Sequence, residues 1–302
     1  MPELPDITIY IESLKARILD TKLTGLKVIN PFLLRSVDPP IHDCIGLQVI
    51  DVERLGKRIV LCLENEHFLV IHLMIAGRLQ WKTDIIKPPR KYGLAVFSFD
   101  SGHLLLTEAG TKRRASLHAV KARENLERFN RGGLEVLDAS YNAFKKTLAR
   151  ENHTIKRSLT DPRIFSGIGN AYSDEILHAA KMSPFKQTKH LNDEECTVLF
   201  TAVKQVIVLW IERFRQEIGE GFPKKVTAFR KEMAVHGKYG EPCPVCDTPI
   251  QRIRYAENEA NYCPECQTGG RLLADRGLSK LLKGDWPATL EDLEELKRKV
   301  SS

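Results

Sequence analysis

The chain has 302 residues, more than one typical domain, and 42% of them are apolar, which is enough for packed cores. Lys and Arg number 46 against 39 Asp and Glu, so the formal net charge is +7. This basic balance favours an anionic partner such as nucleic acid. No apolar run approaches the roughly 20 residues of a membrane span, and the N-terminus lacks the basic-then-apolar pattern of a signal peptide. We therefore expect a cytoplasmic protein with no membrane partner.

The first part of the chain predicts one helix followed by a β-rich domain. Residues 5–19 have apolar side chains at helical spacing, and Pro5 suits the first turn. Six short runs typical of strands follow, separated by Gly, Pro, Asn and Asp, at residues 26–29, 48–52, 59–63, 68–73, 94–99 and 104–106. This pattern favours an antiparallel β-sandwich, to which we assign residues 1–120.

Beyond residue 120 the pattern becomes helical. Candidate helices cover residues 143–150, 154–159, 171–180 and 193–217, and they define a second domain over residues 121–222. A cysteine-rich segment at 235–270 follows. The tail at 271–302 ends in a helical stretch of acidic then basic residues, and its role is open. The fold class that we expect is therefore α+β with several domains.

Four of the seven cysteines form two matched pairs, Cys243 with Cys246 and Cys263 with Cys266. Each pair has two residues between its thiols, and 16 residues separate the pairs, a spacing that suits a zinc site with four thiolate ligands. A disulfide framework is disfavoured in the cytoplasm, and a redox pair rarely needs two matched pairs. The segment 249–262 between them alternates like a β-hairpin. We predict a zinc ribbon with one structural Zn²⁺.

The start of the chain contains a candidate nucleophile. Removal of Met1 would expose Pro2 as a secondary amine, and an α-amino group, with a pKa near 7.7–8.0, is more often neutral at pH 7 than a lysine. Attack of this amine on a sugar C1′ gives an iminium, and the neighbouring Glu3 could donate or relay the proton. The alternative is that Pro2 and Pro5 only begin a helix, and the pentapeptide alone favours that alternative.

Two further motifs suit phosphate. In Gly167-Ile168-Gly169-Asn170, two glycines lead into a helix, and the free N–H groups of a helix N-terminus bind anions. Lys156 precedes this motif on the previous helix. The second motif is the turn at 55–58, which has two consecutive cations, Lys57 and Arg58. Taken singly, the first motif could be an ordinary helix cap and the second an ordinary exposed turn.

In this order along one chain, the motifs resemble the Fpg/Nei family of DNA glycosylase/AP lyases, and in particular its formamidopyrimidine-DNA glycosylase branch. The resemblance runs from residue 1 to residue 267. The matching segments are Pro2–Pro5, Gly56–Arg58, His72–Leu73, Gly77–Arg78, Lys156–Glu175, Gly237–Cys246 and Cys263–Gln267.

The resemblance implies roles for five of these residues. Pro2 is implied to be the nucleophile on C1′ of the damaged nucleotide, and Glu3 the catalytic acid. Lys57 matches a catalytic-site lysine that contacts phosphate beside the lesion. Lys156 and Asn170 match phosphate-binding residues of a helix–two-turn–helix domain.

The implied activity is excision of a damaged base, an oxidised purine in this branch, after the base has left the stack. A Schiff base at the nucleophile then supports β and δ eliminations that cut the strand. The implied partner is damaged double-stranded DNA, bound by a monomer that is nucleoid-associated while on DNA. One structural zinc is implied, and no redox or nucleotide cofactor.

Two departures from the family pattern lie in the loops that replace the flipped base. Ile75 stands where the purine-directed branch has a Met that fills the gap in the duplex, and Met74 is one place early. The loop at 108–115 usually carries an Arg–Phe pair, but here it has Arg113 and Arg114 with no aromatic residue. We expect these three residues, Ile75, Arg113 and Arg114, to contact DNA.

Two more departures lie towards the C-terminus. Asn258 stands where the zinc hairpin of the family usually has an Arg, between Glu257 and Glu259, and Arg271 or Arg276 could substitute. The stretch 222–235 is short and lacks the glycines of a flexible loop that would cover the lesion.

The catalytic residues therefore match better than the residues that read the lesion. Leu4 favours the purine-directed branch, but cleavage at abasic sites or excision of another lesion is an alternative. An alternative of another class is a damaged-DNA-binding protein without catalytic activity, which the intact Pro2, Glu3, Lys57 and Asn170 disfavour.

Overall fold

The computed structural model describes residues 1–84, 87–110, 112–224, 226–255, 258–274 and 286–301. The chain forms two compact units. The first contains Met1–Gly133 and Ile207–Thr227, and the second contains Leu134–Val206 and Ala228–Ser302. Among the helices of the described ranges, none combines the length and the apolar character that crossing a membrane requires.

The first unit begins with helix α1 (Leu4–Ile18), which confirms the predicted N-terminal helix. Its start is a capping box: the Glu3 carboxylate accepts from the backbone of Asp6, and the Asp6 carboxylate accepts from the Glu3 backbone N–H at 2.9 Å. Apolar residues at helical spacing, such as Tyr10 and Leu14, are fully buried. The helix is therefore held both by its cap and by its apolar face.

Eight strands follow in the first unit. In chain order they are β1 (Leu23–Val28), β2 (Val49–Leu55), β3 (Arg58–Leu63), β4 (His67–His72), β5 (Gly77–Lys82), β6 (Gly93–Phe99), β7 (Gly102–Glu108) and β8 (Ser116–Lys121). They form two four-stranded antiparallel sheets, ordered β1-β6-β7-β5 and β2-β3-β4-β8. The main core packs the inner faces of both sheets against α1. This confirms the predicted sandwich, and adds β5 and β8, which the sequence analysis missed.

A second apolar cluster lies on the outer face of the β2-β3-β4-β8 sheet. It contains Val60, Phe68, Val70 and Val120 from the strands. A 3-10 helix, Arg123–Phe129, covers it with Leu126 and Phe129. This sheet is therefore buried on both faces over part of its length, which explains its nearly continuous apolar runs.

Over the described residues, the second unit contains three helices and the N-terminal part of a fourth, α5, then a hairpin and two further helices. They are α2 (Tyr141–Leu148), α3 (Ile155–Thr160), α4 (Asn170–Ala179), α5 (Asp193–Ile218), β9 (Gln251–Tyr255), β10 (Asn258–Tyr262), α6 (Pro264–Thr268) and α7 (Leu290–Ser301). The four helices predicted before residue 220, the hairpin and the terminal helix are confirmed. Helix α6, which begins at Cys263 as its N-cap, was not predicted.

The end of α5 belongs to the first unit because α1 holds it. The Arg215 guanidinium donates to the Glu12 carboxylate at 3.0 Å, and Arg17 donates to the Glu220 carbonyl at 2.6 Å. The Tyr10 and Phe222 rings pack with centroids 5.8 Å apart. The compact units therefore divide the chain within α5. The domain boundaries at residues 120, 222 and 235 stay a prediction.

A substitution of Gly77 tests how tightly the β4–β5 connection is packed. A Cβ at this position would lie 2.2 Å from the Leu73 carbonyl oxygen, so the backbone would have to move. We expect Gly77→Ala to lower the free energy of unfolding by about 1–3 kcal/mol, the usual cost of overpacking. Urea denaturation measures this change.

The matched control is Gly25→Ala in β1. A Cβ there meets only the Ser98 side chain, at an ordinary 3.6 Å. Equal losses in the two variants would contradict the steric explanation.

Candidate active site, phosphate-binding residues and zinc centre

The N-terminus of the chain lies among charged side chains. Glu3 is only 3% exposed, because it caps α1, and Pro2 is also buried. Burial lowers the pKa of the terminal amino group, and the charges of Glu3, Arg78, Asp6 and Lys57 act on it. The structure therefore brings two acids and two cations to the first residues of the chain.

Lys57 reaches the same place from the turn between β2 and β3. Gly56, with φ +61°, makes this turn possible. Burial lowers the pKa of the Lys57 ammonium, and the negative charges of Glu3 and Asp6 oppose that change. Two of the three predicted catalytic residues, Glu3 and Lys57, therefore interact electrostatically, although they come from separate segments.

The β4–β5 loop presents Ile75 to solvent. Met74 adopts a left-handed conformation, with φ +52°, and the Ile75 side chain is 54% exposed. The Arg78 guanidinium donates to the carbonyls of Ile75 at 3.2 Å and Gly77 at 2.6 Å. The apolar tip of this loop is therefore Ile75, and Arg78 holds the backbone beneath it.

The loop after β7 is held at its base by a buried carboxylate. Glu108 is 2% exposed and accepts the backbone N–H of Arg114 at 3.0 Å and of Ala115 at 3.1 Å. The Arg113 guanidinium donates to the Lys91 carbonyl. Both arginines are exposed, so the predicted DNA contacts of this loop are available on the surface, with Arg113 tied to the segment before β6.

In the second unit, Gly167 and Gly169 lead into α4, as the sequence indicated. Gly167 has φ +80°, Gly169 is the N-cap, and Asn170 is the first residue of the helix and half-buried. Lys156 on α3 lies directly against this turn. Its ammonium donates to the Asn170 carbonyl at 3.2 Å and to the Ser173 hydroxyl at 3.1 Å.

The third partner of Lys156 is the buried Asp174 carboxylate on α4. An ammonium has three N–H donors, so the contacts with Asn170, Ser173 and Asp174 occupy all of them. The Lys156 side chain is 12% exposed, and that of Asp174 is fully buried. In this structure, Lys156 therefore holds the start of α4 in place, which the sequence analysis did not foresee.

Two consecutive carboxylates on α4 connect this helix to the C-terminal part of the unit. Asp174 also accepts from His236 Nδ1 at 2.8 Å and from the Asn261 amide at 3.1 Å. Glu175 accepts the backbone N–H groups of residues 234, 235 and 236, at 2.8–2.9 Å. Burial raises the pKa of Glu175, and these three hydrogen bonds oppose the change. Sequence reasoning missed both carboxylates, because an acidic pair on a helix usually faces solvent.

The four paired cysteines converge on one point. Their Sγ atoms all lie within 4.8 Å of one another, with Cys246–Cys263 at 3.4 Å and Cys243–Cys266 at 3.9 Å. A tetrahedral zinc with Zn–S bonds of about 2.3 Å has sulfur–sulfur distances of about 3.8 Å. The donor set and its spacing therefore fit a closed structural zinc site.

The zinc site is attached to α4 and to the residues that follow it. His178 Nε2 lies 3.3 Å from Cys243 Sγ, the kind of contact that orients a metal ligand. The Gln267 side chain accepts from Cys263 N at 2.9 Å and donates to the Met182 carbonyl at 2.8 Å. The metal would therefore hold the ribbon in a fixed position on the helices of this unit.

The remaining thiols behave as core residues. Cys44, Cys62 and Cys196 are buried. Burial raises the pKa of Cys44 to about 11 and that of Cys62 to about 12, so both stay protonated at neutral pH.

The structure describes some of the C-terminal residues at which the sequence departs from the family pattern. Glu257 and Arg276 lie outside the described residues, and Arg271, which is exposed, stays a candidate replacement for the hairpin arginine. The stretch 222–235 divides between the units: Phe222 and Val226 pack on the core of the first, while residues 234 and 235 bond to Glu175 in the second.

Three family models match the chain in order. They are the formamidopyrimidine-DNA glycosylase N-terminal domain at residues 1–115, the H2TH domain of the same enzymes at 133–219, and the zinc finger found in FPG and IleRS at 240–269. These matches define the class of protein: a formamidopyrimidine-DNA glycosylase N-terminal domain that here forms a sandwich, a helix–two-turn–helix domain and a zinc ribbon.

The formamidopyrimidine-DNA glycosylase of Desulforamulus reducens is 32% identical over 279 residues, which cover 88% of this chain and 99% of the relative. The crystal structure of MutM (Fpg) from Thermus thermophilus is 26% identical, with a TM-score of 0.73, and covers 88% of this chain and 98% of its own. Lactococcus lactis Fpg, in a complex with DNA that contains an abasic site, shares the fold at 23% identity, with a TM-score of 0.76 over 88% of this chain and 99% of its own.

The chain belongs to the formamidopyrimidine-DNA glycosylase family. This confirms the family that the order of motifs indicated. It also confirms the fold class and the structural zinc.

We expect one zinc per chain in purified protein, measured by plasma mass spectrometry, and near-complete loss of zinc in Cys263→Ala. Chelation should unfold the ribbon, because a structural zinc supplies folding free energy. Cys196→Ala is the control, since this buried cysteine of α5 is outside the zinc cluster. Full zinc content in Cys263→Ala would contradict the assignment.

We expect Lys156→Met to lower the free energy of unfolding by about 3 kcal/mol, because it leaves the buried Asp174 without its cation. Lys145→Met is the control in the same unit: its pair with Asp193 is exposed and screened by solvent, so its melting temperature should stay unchanged. Thermal unfolding compares the two. An equal melting temperature for wild type and Lys156→Met would show that Asp174 does not need this partner.

Proposed function

We propose that the chain is a DNA glycosylase with AP lyase activity that acts on damaged double-stranded DNA in base excision repair. The observation that carries this proposal is the arrangement at the N-terminus, where Pro2 and Glu3 are buried beside Lys57. A secondary amine in that position is the nucleophile that the reaction requires. Family membership and the zinc ribbon support the same conclusion.

Removal of Met1 would leave the Pro2 nitrogen as a free amine in the same surroundings. Burial lowers the pKa of the Met1 amino group in this position, and the same burial would favour the neutral, nucleophilic form of the Pro2 amine. The amine attacks C1′ as the bond from C1′ to the base breaks, and the base leaves with the electron pair and takes up a proton. Glu3 donates a proton to the sugar ring oxygen as the ring opens to the iminium.

The iminium then allows the strand to be cut. Loss of a proton from C2′ expels the 3′ phosphate by β elimination, and a second elimination expels the 5′ phosphate. Lys57, partly desolvated next to Glu3, supplies a positive charge for a phosphate beside the lesion. The eliminations need no redox cofactor, because in each one the electron pair of the broken C–H bond forms a C=C bond in the sugar and the electron pair of the broken C–O bond leaves with the phosphate.

The remaining predicted contacts have separate tasks. Asn170, at the start of α4, binds a phosphate of the damaged strand, and Lys156 acts by fixing the turn that presents it. Ile75, as an exposed apolar side chain, fills the gap that the flipped base leaves in the duplex. Arg113 and Arg114 contact the opposite side of that gap.

The lesion that we propose is an oxidised purine, on the basis of Leu4 and the family branch. A second candidate function is cleavage at abasic sites alone. The loss of the family's aromatic wedge residue from the loop at 108–115 favours this candidate, because that residue serves to replace the flipped base in the duplex. We place the enzyme, as a monomer, in the cytoplasm and on the nucleoid.

Borohydride trapping on an abasic-site duplex tests the mechanism, because it reduces the Schiff base to a stable covalent complex. Wild-type protein whose mass shows removal of Met1 should form the covalent complex with DNA. The yield of this complex should fall at least about tenfold in Pro2→Gly, because a primary glycine amine lacks the proline ring geometry. DNA binding should stay within about threefold, since the phosphate contacts remain.

Pro5→Ala is the control, because it changes the other proline of the same segment and leaves the nucleophile. Trapping by Pro2→Gly at the wild-type level would assign the nucleophile to another amine. Duplexes with 8-oxoguanine, formamidopyrimidine or an oxidised pyrimidine then distinguish base excision from cleavage of abasic sites alone.

A further inference from the structure

Basic side chains lie next to one another at one end of the outer face of the β2-β3-β4-β8 sheet. Arg58 in β3 is directly opposite His72 in β4, and His118 in β8 is directly opposite Val70. Side chains alternate between the two faces along a strand, so Arg58, His72 and His118 share the face that carries Val70. The apolar cluster described above occupies the rest of this face.

Two more arginines reach this end of the sheet from outside it. The backbone N–H of Arg35 donates to the Leu117 carbonyl at 2.9 Å, which places the exposed Arg35 beside β8. Arg128 lies near the end of the 3-10 helix, with its Cζ atom 4.9 Å from the centre of the Phe129 ring. We call Arg35, Arg58, His118 and Arg128 the outer-face cluster.

The Phe129 ring joins the members of the outer-face cluster. Its centre lies 4.9 Å from that of the His118 ring and 5.8 Å from the Cζ atom of Arg58. The Arg58 guanidinium also donates to the Phe129 carbonyl at 3.2 Å. These contacts fix Arg58 and Arg128 over one aromatic surface and leave most of their N–H groups for an external acceptor.

Among the described residues, the charges found to act on His118 and Arg58 in the outer-face cluster are all positive. The charges that act on His118 are those of Arg128, Arg58 and Arg35, and the charge that acts on Arg58 is that of Arg131. Burial and these cations lower the pKa of both groups. By contrast, Arg123 at the start of the same 3-10 helix is paired with Glu53. Like charges that gather on a sheet surface cost folding free energy, and an anionic ligand would recover it.

We infer that the outer-face cluster binds phosphodiester groups of the duplex that flank the phosphate held at Lys57. This inference rests on the proposed function, because it places DNA at Lys57. Lys57 lies in the turn that leads into β3, and Arg58, with His72 opposite it, marks the same end of the sheet, so a DNA strand that contacts Lys57 at this end lies within reach of the outer-face cluster. Guanidinium groups bind phosphate through two parallel N–H donors, and a neutral His118 adds one more donor.

The test measures binding of a fluorescent duplex that contains tetrahydrofuran, an abasic analogue without the C1′ hydroxyl, over a range of salt concentrations. The variant is Arg35→Gln with Arg128→Gln, since both side chains are exposed and their loss leaves the sheet intact. Each phosphate contact contributes about 0.9 to the slope of log Kd against log salt, so the slope should fall by about 1.8. The affinity near 0.1 M salt should fall about tenfold or more.

The matched control removes two positive charges from the other sheet of the same unit, as Lys22→Gln with Lys27→Gln. Both lysines are exposed, at the start of β1 and within it. The control should keep the wild-type slope. An unchanged slope in the arginine variant, or an equal loss in the control, would overturn the inference.

Borohydride trapping of the arginine variant at saturating protein and low salt separates this inference from the proposed function. Trapping at the wild-type rate, together with the reduced salt slope, supports a role in binding the flanking DNA. Binding to the tetrahydrofuran duplex needs no Schiff base. If wild-type protein formed no covalent complex on borohydride treatment, the proposed chemistry would be contradicted, but the binding measurement could still be interpreted.

Discussion

The second unit depends on two neighbouring carboxylates, Asp174 and Glu175, that are buried on one helix. A buried charge is costly unless partners surround it. Asp174 has Lys156, His236 and Asn261 as partners, and Glu175 has three backbone N–H groups. Those partners come from distant parts of the chain, so satisfying the two charges brings α3, the segment before the ribbon and β10 together around α4.

The phosphate-binding turn and the zinc ribbon share this arrangement. Lys156 holds the Asn170 carbonyl at the N-terminus of α4, and His178 contacts the zinc ligand Cys243 near its C-terminus. One ten-residue helix therefore positions both the turn that we assign to phosphate binding and the base of the ribbon. A change in either carboxylate would disturb both.

In the first unit, a capping box supplies hydrogen-bond partners to two buried carboxylates, those of Glu3 and Asp6. Glu3 and Asp6 each satisfy a backbone N–H of the other residue, and this fixes the first residues of the chain on the sandwich. Lys57 faces the same acids, and burial holds its pKa below the ordinary value. The groups that we assign to catalysis are therefore held by the same contacts that start α1. On the far side of the β3 strand, Arg58 begins the outer-face cluster, so two consecutive residues connect the active site to the surface that we assign to flanking DNA.

The sequence alone determined the family, the order of domains and the zinc ligands. These depend on residue types at short spacings, such as two Cys-x-x-Cys pairs, or on a motif such as Pro2-Glu3 at the chain start. The sandwich and most helices were also predictable, because their apolar periodicity is local. Strands β5 and β8 were missed because each mixes polar and charged residues with few apolar ones.

Tertiary structure alone decided what the charged side chains do. The sequence presented Lys156 as a cation for phosphate, but its ammonium is occupied by Asn170, Ser173 and Asp174. It presented Arg58 as the second cation of a turn, and the sheet register placed it opposite His72 while the Phe129 ring packs near its guanidinium. A charge acquires its role from the groups that surround it in space, and those groups come from distant segments, 87 residues apart for Asp174 and Asn261 and 203 residues apart for Arg215 and Glu12.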